Sequence, residues 1–274
     1  MLEIPESKTI GDQAASALTG KKIAKVAGPT SPHAFTWYHG DPKDYGKLLS
    51  GHTVESASGH GAFVDIFLDG GTCITINEGT NIRYCPAGEK HPEKHQLLVE
   101  FTDGSFLVFT VAMYGGICAY QGKFDNPYYI GSLAKMSPLD EKFDRALFGT
   151  MLGEAKKTLS AKAFLATEQR IPGLGNGVVQ DILFNAGINP RRKISTLTGI
   201  EKDDLFHSLK VTLQAMADGG GRDTEKDLFG QKGGYKCLFS KNTYKEPCPH
   251  CGGAITKEAY LGGAVYYCLV CQRL

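Results

Sequence analysis

The sequence predicts an α+β protein of more than one domain. Three observations carry this: short β-type runs punctuated by glycine in the first half, helical periodicity after Ser137-Pro138, and two Cys-x2-Cys pairs near the C-terminal end. An amphipathic helix is expected first, roughly over Ser7–Leu18, with Ile10, Ala14, Ala15 and Leu18 as its apolar stripe. Runs such as Ala62–Leu68, Cys73–Ile76, Gln96–Phe101 and Ser105–Ala112 follow, separated by Asp69-Gly70-Gly71 and Asp103-Gly104, the pattern of an antiparallel sandwich or barrel ending near Tyr129. Cys73 and Cys118 read as small core residues on its strands. Helices are then expected over Glu141–Leu152, Ala161–Ala166, Asn176–Ala186 and Lys202–Ala217, with Ser195 and Thr198 where caps belong. The glycine-rich stretch Gly219–Gly234 reads as a loop, and Tyr235–Leu274 as a small β module. Domain boundaries are accordingly expected at 1–133, 134–234 and 235–274.

With 274 residues, 42% of them hydrophobic, the chain can build a core without a metal to rescue it. No run of about 18 apolar residues exists to span a membrane. The opening MLEIPESKTIGDQ carries acids and no apolar stretch, so no signal peptide is expected and cytoplasmic residence is. The net charge of +1 is no argument for nucleic acid by itself. Its distribution says more: residues 1–150 hold 13 Lys+Arg against 17 Asp+Glu, and residues 151–274 hold 17 against 12, so the half with the cysteine pairs is the basic one. Chance asymmetry is the plain alternative.

The spacing Cys248-x2-Cys251-x16-Cys268-x2-Cys271 suits one tetrahedral ion held by two knuckles. Gly252-Gly253 permits the positive φ such a turn needs, and the intervening KEAYLGGAVYYC reads as a hairpin turning at Gly262-Gly263. Four thiolates leave no open position, so a single structural Zn2+ is expected. His250 lies inside the first knuckle and reads as solvent-facing rather than as a ligand.

The turn Arg170-Ile171-Pro172-Gly173-Leu174-Gly175-Asn176 separates two helices, and Pro190-Arg191-Arg192-Lys193 follows the second. Glycines let backbone approach a ligand, and a helix N-terminus attracts anions, so Gly175 and Asn176 read as a phosphate clamp, with Asn176 as cap and contact. A tight helix connection that binds nothing is the alternative.

Three features in this order resemble the formamidopyrimidine-DNA glycosylase and endonuclease VIII family. They are Glu3-Ile4-Pro5-Glu6, the turn Gly173-Leu174-Gly175-Asn176 followed by ILFNAGINP, and the four-Cys finger preceded by Glu246-Pro247. The likeness covers essentially the whole chain and is greatest to a divergent, endonuclease VIII-like branch. It implies an N-terminal β-sandwich, a helix-two-turn-helix domain and a zinc finger that together bind damaged duplex DNA. It further implies a monomer working at the nucleoid. Family members flip a damaged base out of the helix and cleave it from the sugar through an N-terminal amine, with a glutamate beside it as acid–base group.

Carried over residue by residue, the resemblance puts Glu3 at the catalytic glutamate and Glu6 at the second N-terminal glutamate. The nucleophile place, usually a proline exposed by removal of the initiator methionine, is Leu2. Methionine before leucine is expected to stay, so the amine would be that of Met1, roughly 3.5 Å further along the chain. The family's DNA-contacting lysine aligns with Ala62, beside His60. Its void-filling residues align with Asn77-Glu78-Gly79-Thr80 and Val111–Gly115, where Met113 or Tyr114 would intercalate. The finger arginine aligns with Gly263. Arg222 and Lys226 fall in the place of the family's lesion-recognition loop, where the resemblance implies that they meet DNA; a solvated connector is the alternative. Three readings follow: a glycosylase with altered nucleophile chemistry, a damaged-DNA-binding protein without activity, and a zinc-finger protein acting on RNA or protein. Phe35–Pro42 holds the only tryptophan, Trp37, read as part of a core strand before an Asp-Pro turn, with base stacking the alternative. His91 and His95 are not expected to bind metal, since Pro92 argues against the helix their spacing would need.

Overall fold

The computed structural model describes residues 1–31 and 33–274. The chain opens with helix α1 (Ile4–Leu18), followed by strands β1 (Ile23–Ala27) and β2 (Thr36–Tyr38) and the short helix α2 (Tyr45–Leu49). Seven strands come next: β3 (Val54–His60), β4 (Phe63–Leu68), β5 (Thr72–Asn77), β6 (Thr80–Cys85), β7 (Leu97–Phe101), β8 (Phe106–Val111) and β9 (Gly115–Gln121). They form two sheets, ordered β1-β7-β8-β6 and β2-β9-β5-β4-β3. The first is antiparallel throughout. In the second, β2 runs parallel to β9, a departure from the all-antiparallel expectation. The β region ends at Gln121, earlier than expected, because Asn126 and Pro127 start a helix.

Helix α1 begins at Ile4, three residues before the start expected at Ser7. Pro5 sits in its first turn and the Glu6 carboxylate reaches back to accept from the Glu3 amide at 3.3 Å, a start signal outside the periodic pattern. Its buried face joins Leu2, Val64, Ile74, Leu107 and Phe109 in the core between the sheets. The helix lies unusually close to β3. A Cβ on Gly59 would stand 1.8 Å from the Ser7 carbonyl oxygen, and one on Gly11 2.3 Å from the Gly59 nitrogen, so both positions require glycine. This contact fixes the first residues against the sandwich.

The helical part comprises α3 (Pro127–Ala134), α4 (Arg145–Glu154), α5 (Ala161–Ala166), α6 (Asn176–Asn185) and α7 (Gly199–Asp218). Asp144, not a residue near Glu141, caps α4 through the Leu147 amide, which moves its start. Thr198 caps α7 with Glu201 in a capping box, as the sequence suggests, whereas Ser195 lies inside a single 3-10 turn, Ile194–Thr196. A second core, built on Ile4, Phe148, Phe164, Val179, Ile182, Leu209 and Leu213, unites these helices. Residues Gly219–Gly234 carry no helix or strand. The C-terminal hairpin pairs β10 (Ile255–Tyr260) with β11 (Gly263–Cys268), and its turn is Leu261-Gly262, one residue earlier than expected. Both turn residues have positive φ, 52° and 77°, as the favoured two-residue hairpin turn demands. Among the described residues no helix is long and apolar enough to cross a membrane.

Candidate nucleic-acid interface

The first three residues run between the sandwich and the N-terminus of α6. The Leu2 amide donates to the Glu78 carbonyl at 2.6 Å, the Ile4 amide donates to the Gly173 carbonyl at 3.0 Å, and the Leu2 side chain enters the core. Glu3 is thereby delivered to the start of α6, where its Oε1 accepts from the Gly177 amide at 2.9 Å and its Oε2 from the Val178 amide at 2.8 Å. The N-cap position of α6 is Gly175, not Asn176, and the free amides and positive end of the helix dipole are taken by an internal carboxylate. A phosphate therefore does not have this helix end to itself. Burial raises the Glu3 pKa above the usual carboxylate range; Arg222 and the two amides oppose the rise, and Glu6 adds to it. A glutamate that holds its proton more readily in this way suits a proton donor.

Arg222 neither faces DNA nor stands on a solvated connector, the two readings its sequence position offered, because it is 2% exposed. Its Nε and Nη2 donate to Glu6 Oε1 and Oε2 at 2.9 and 2.7 Å, its backbone amide donates to Glu6 Oε1 at 3.0 Å, and Nη2 also reaches the Met1 carbonyl at 3.3 Å. Nη1 lies 3.6 Å from Glu3 Oε2. Burial alone would lower the guanidinium pKa, but the two glutamates reverse this and hold it raised. The planar fork explains the choice of arginine, since only it meets one carboxylate bidentately and faces a second. Gly177 makes room for it: a Cβ there would stand 1.5 Å from Arg222 Nη1. The loop after α7 is thus tied to Glu3 and Glu6 by buried ion pairs. Lys226, from the same loop, is exposed.

Beside this cluster lies a groove of about 670 Å³, whose walls include Met1, Leu2, Glu6, Arg83, Lys226 and Phe229. The Met1 amino group ion-pairs with Glu225 at its edge. The two places aligned with the void-filling residues meet next to it. Glu78 adopts a left-handed φ of 28°, and Met113 and Tyr114 are 63% and 36% exposed. Met113 is free on the surface, as intercalation requires. Ala62 is buried, and His60 is turned inward, its ring nitrogens 3.0 Å from Asp65 Oδ2 and Ser132 Oγ, so neither supplies a phosphate-binding cation. Trp37 is 55% exposed rather than part of a core strand, because β2 is an edge strand. Around His91 and His95 there is no helix, in keeping with the sequence.

The four cysteine sulfurs all lie within 4.8 Å of one another, with Cys251 and Cys268 3.4 Å and Cys248 and Cys271 3.9 Å apart. Metal–sulfur bonds of about 2.3 Å in a tetrahedron space the sulfurs about 3.8 Å apart, so the set fits one ion such as zinc. The Gly253 amide points at Cys251 Sγ at 3.4 Å, and His250 Nδ1 stands 3.3 Å from Cys271 Sγ, beside the cluster rather than within it.

One face of α6 anchors the finger to the helices. Asn176 Nδ2 donates to the Ala264 carbonyl at 2.9 Å, the Gln180 side chain bridges the Ala264 carbonyl and the Tyr266 amide, and Asp181 accepts from the Leu238 and Phe239 amides at 2.9 Å. Buried Lys162 adds a bond from Nζ to the Tyr260 carbonyl at 2.6 Å. Gly263 packs on Asn176 so closely that a Cβ would come within 3.1 Å of its amide group. Sequence reasoning did not single out Glu225, Lys162, Gln180 or Asp181. For the last two a signal existed, since two polar residues interrupt the apolar run of NGVVQDIL on what must be a buried helix.

No family model matches the sequence. Curated relatives do match over its whole length. The formamidopyrimidine-DNA glycosylase of Geobacillus kaustophilus is 30% identical over 287 residues, covering 100% of both chains. That of Brevibacillus brevis is 30% identical over 288 residues, covering 100% of this chain and 99% of the relative. Among solved structures, Lactococcus lactis Fpg in complex with abasic-site DNA superposes with a TM-score of 0.84 at 22% identity, over 99% of this chain and 100% of that one. The same enzyme with DNA containing N7-benzyl-Fapy-dG gives 0.84 at 24%, with the same coverage.

Proposed function

This chain belongs to the formamidopyrimidine-DNA glycosylase family, and we propose that it binds damaged duplex DNA and releases an altered base from its sugar. The observation that carries this is the Glu3 carboxylate, buried and raised in pKa, clamped on α6 beside a groove large enough for a base. In this reading Glu3 donates or relays the proton, while Glu6 and Arg222 hold it in place. Lys226, Asn176, Gly175 and Met113 face the DNA, and one structural zinc ion holds the finger. The units 1–133, 134–234 and 235–274 act as base-binding sandwich, helical clamp and finger of a monomer working in the cytoplasm at the nucleoid. Leu2, Ala62 and Gly263 support a divergent, endonuclease VIII-like place within the family.

The nucleophile in this reading is the Met1 amine, which must first give up a proton; Glu225 is the carboxylate in contact to receive it. Deprotonated, the amine attacks C1′ of the sugar, the glycosidic bond breaks as Glu3 protonates the departing base, and opening of the C1′–O4′ bond, with an amine proton passing to O4′, leaves a Schiff base. A second reading, binding without excision, is favoured by the Leu2 nitrogen. It is an amide bonded to Glu78, and so stands without nucleophilic character where relatives carry an amine. Borohydride trapping on an abasic-site duplex, run beside base release from a panel of lesions, separates these readings. A covalent adduct supports the amine. Release without adduct supports water activated by Glu3, and is expected to vanish in Glu3→Gln. Binding with neither adduct nor release overturns the excision reading.

A further inference from the structure

A second cavity, of about 510 Å³, opens on the other side of the β5–β6 turn from the groove at Met1. Trp37, Tyr114, Phe124 and Tyr128 line it together with Asn77, Glu78 and Asn126. Its rim is an exposed aromatic surface: Trp37 is 55% exposed, Tyr128 67%, and the Trp37 and Tyr114 rings stand 6.0 Å apart. The wall between cavity and groove is thin and held from both sides. The Glu78 carbonyl accepts from Leu2 at 2.6 Å, and the Glu78 amide donates to the Ala62 carbonyl at 3.1 Å. The polar lining is only half used. Asn77 Oδ1 accepts from the Gly116 amide at 2.6 Å and Asn126 Oδ1 caps α3 through the Tyr128 and Tyr129 amides, while neither NH2 group finds a partner among the described residues.

We propose that this cavity holds a second nucleobase, the one left unpaired on the opposite strand when the damaged base enters the groove at Met1. The inference rests on the DNA-binding reading and deepens it. Aromatic faces stack on bases of any sequence, and the lining offers two free amide donors and one carboxylate acceptor. Two donors and one acceptor are the group types that the acceptor–donor–acceptor edge of thymine or uracil pairs with. A base that has lost its partner costs less to unstack than a paired one, so leaving of the first base favours capture of the second. The Asn77–Thr80 turn, one residue layer thick at Glu78, then separates the two bases.

Trp37 is the only tryptophan in the chain, so its emission reports on this site alone. The test uses the full-length zinc-loaded protein and two end-labelled duplexes. One carries a tetrahydrofuran abasic analogue opposite thymine, and the other carries the analogue in both strands. Binding is read by anisotropy and site occupancy by Trp37 emission. The thymine duplex is expected to quench Trp37 and to bind tighter than the doubly abasic duplex by about 5- to 100-fold, the range of one base–aromatic stack. Tyr128→Ala, an exposed position away from Glu3 and Glu6, should remove that difference and leave binding to the doubly abasic duplex unchanged. Equal affinity and equal quenching for the two duplexes would overturn the second-base site while leaving DNA binding intact. Absence of any anisotropy change with either duplex would overturn the DNA-binding reading, and this site with it.

Discussion

The Arg222 guanidinium stands 3.6 Å from the Glu3 carboxylate, and both side chains are buried. Residues 219 positions apart in sequence are thus electrostatic partners, and Glu6 completes the group through two bonds from the same guanidinium. A charge buried without its partner is far costlier than the pair. The loop after α7 is therefore part of the architecture around Glu3 rather than a free arm.

Removing the cation should expose this cost. Arg222→Met leaves Glu3 and Glu6 facing each other in a dry site and is expected to destabilise the fold by about 3–5 kcal/mol at pH 8. Without the cation that opposes its rise, the Glu3 pKa goes up further, and a group raised in this way contributes most when protonated, below its unfolded value. The deficit relative to the native chain should therefore shrink at pH 5. Urea unfolding of both proteins at the two pH values measures it. An equal deficit at both would show that Arg222 does not neutralise the glutamates.

Asp181 makes a pH-dependent joint between α6 and the finger. Burial pushes its carboxyl up to about 6, against the pull of the Phe239 and Leu238 amides, Tyr235 and Arg222. The folded state thus binds this proton more tightly than the unfolded one. Its contribution is complete below pH 4 and lost as pH rises through about 6, a change of roughly 3 kcal/mol for a shift of about 2 pH units. Asp181→Asn should remove this slope between pH 4 and 6.5, whatever it does to absolute stability. Denaturation curves across that window decide the matter, and an unchanged slope would sink the assignment.

Metal removal should act on one part of the molecule. Four thiolates close the finger, and its hairpin and the segment leading into it bond to α6 through Asn176, Gln180 and Asp181. Chelation is expected to unfold the hairpin β10–β11 and to lower DNA affinity by at least about tenfold, since a structural zinc site supplies folding energy directly. The sandwich core, which makes no use of the ion, should keep its amide-exchange protection. Loss of protection in both regions together would show that the finger supports the whole fold.

Much of this was legible before any fold was known. Ala161–Ala166 is a helix over the expected residues, and the start of α6 at Asn176 and the Thr198 cap of α7 were also as read, because periodicity and capping chemistry are local. The cysteine spacing located the metal cluster for the same reason. The misplacements have local causes too. The Asp144 cap shifted α4, and the positive-φ preference of a two-residue turn moved the hairpin tip to Leu261-Gly262. Trp37 reads as core by composition, and only its place on an edge strand leaves it exposed.

What the sequence by itself determined is the set of parts: a glycine-punctuated β region, helices joined through Gly173-Leu174-Gly175-Asn176, a four-thiolate finger, and glutamates at positions 3 and 6. Each depends on contacts between residues a few positions apart, so its pattern is written along the chain. What only the tertiary structure decided is how those parts are wired. Glu3, not a phosphate, occupies the amides of α6, Arg222 lies buried between two glutamates, and Gly59 and Gly177 are needed for close approach. These are contacts between segments distant in sequence, chosen by the balance of desolvation against pairing in a packed interior. That balance has no value until folding sets the burial and the distances.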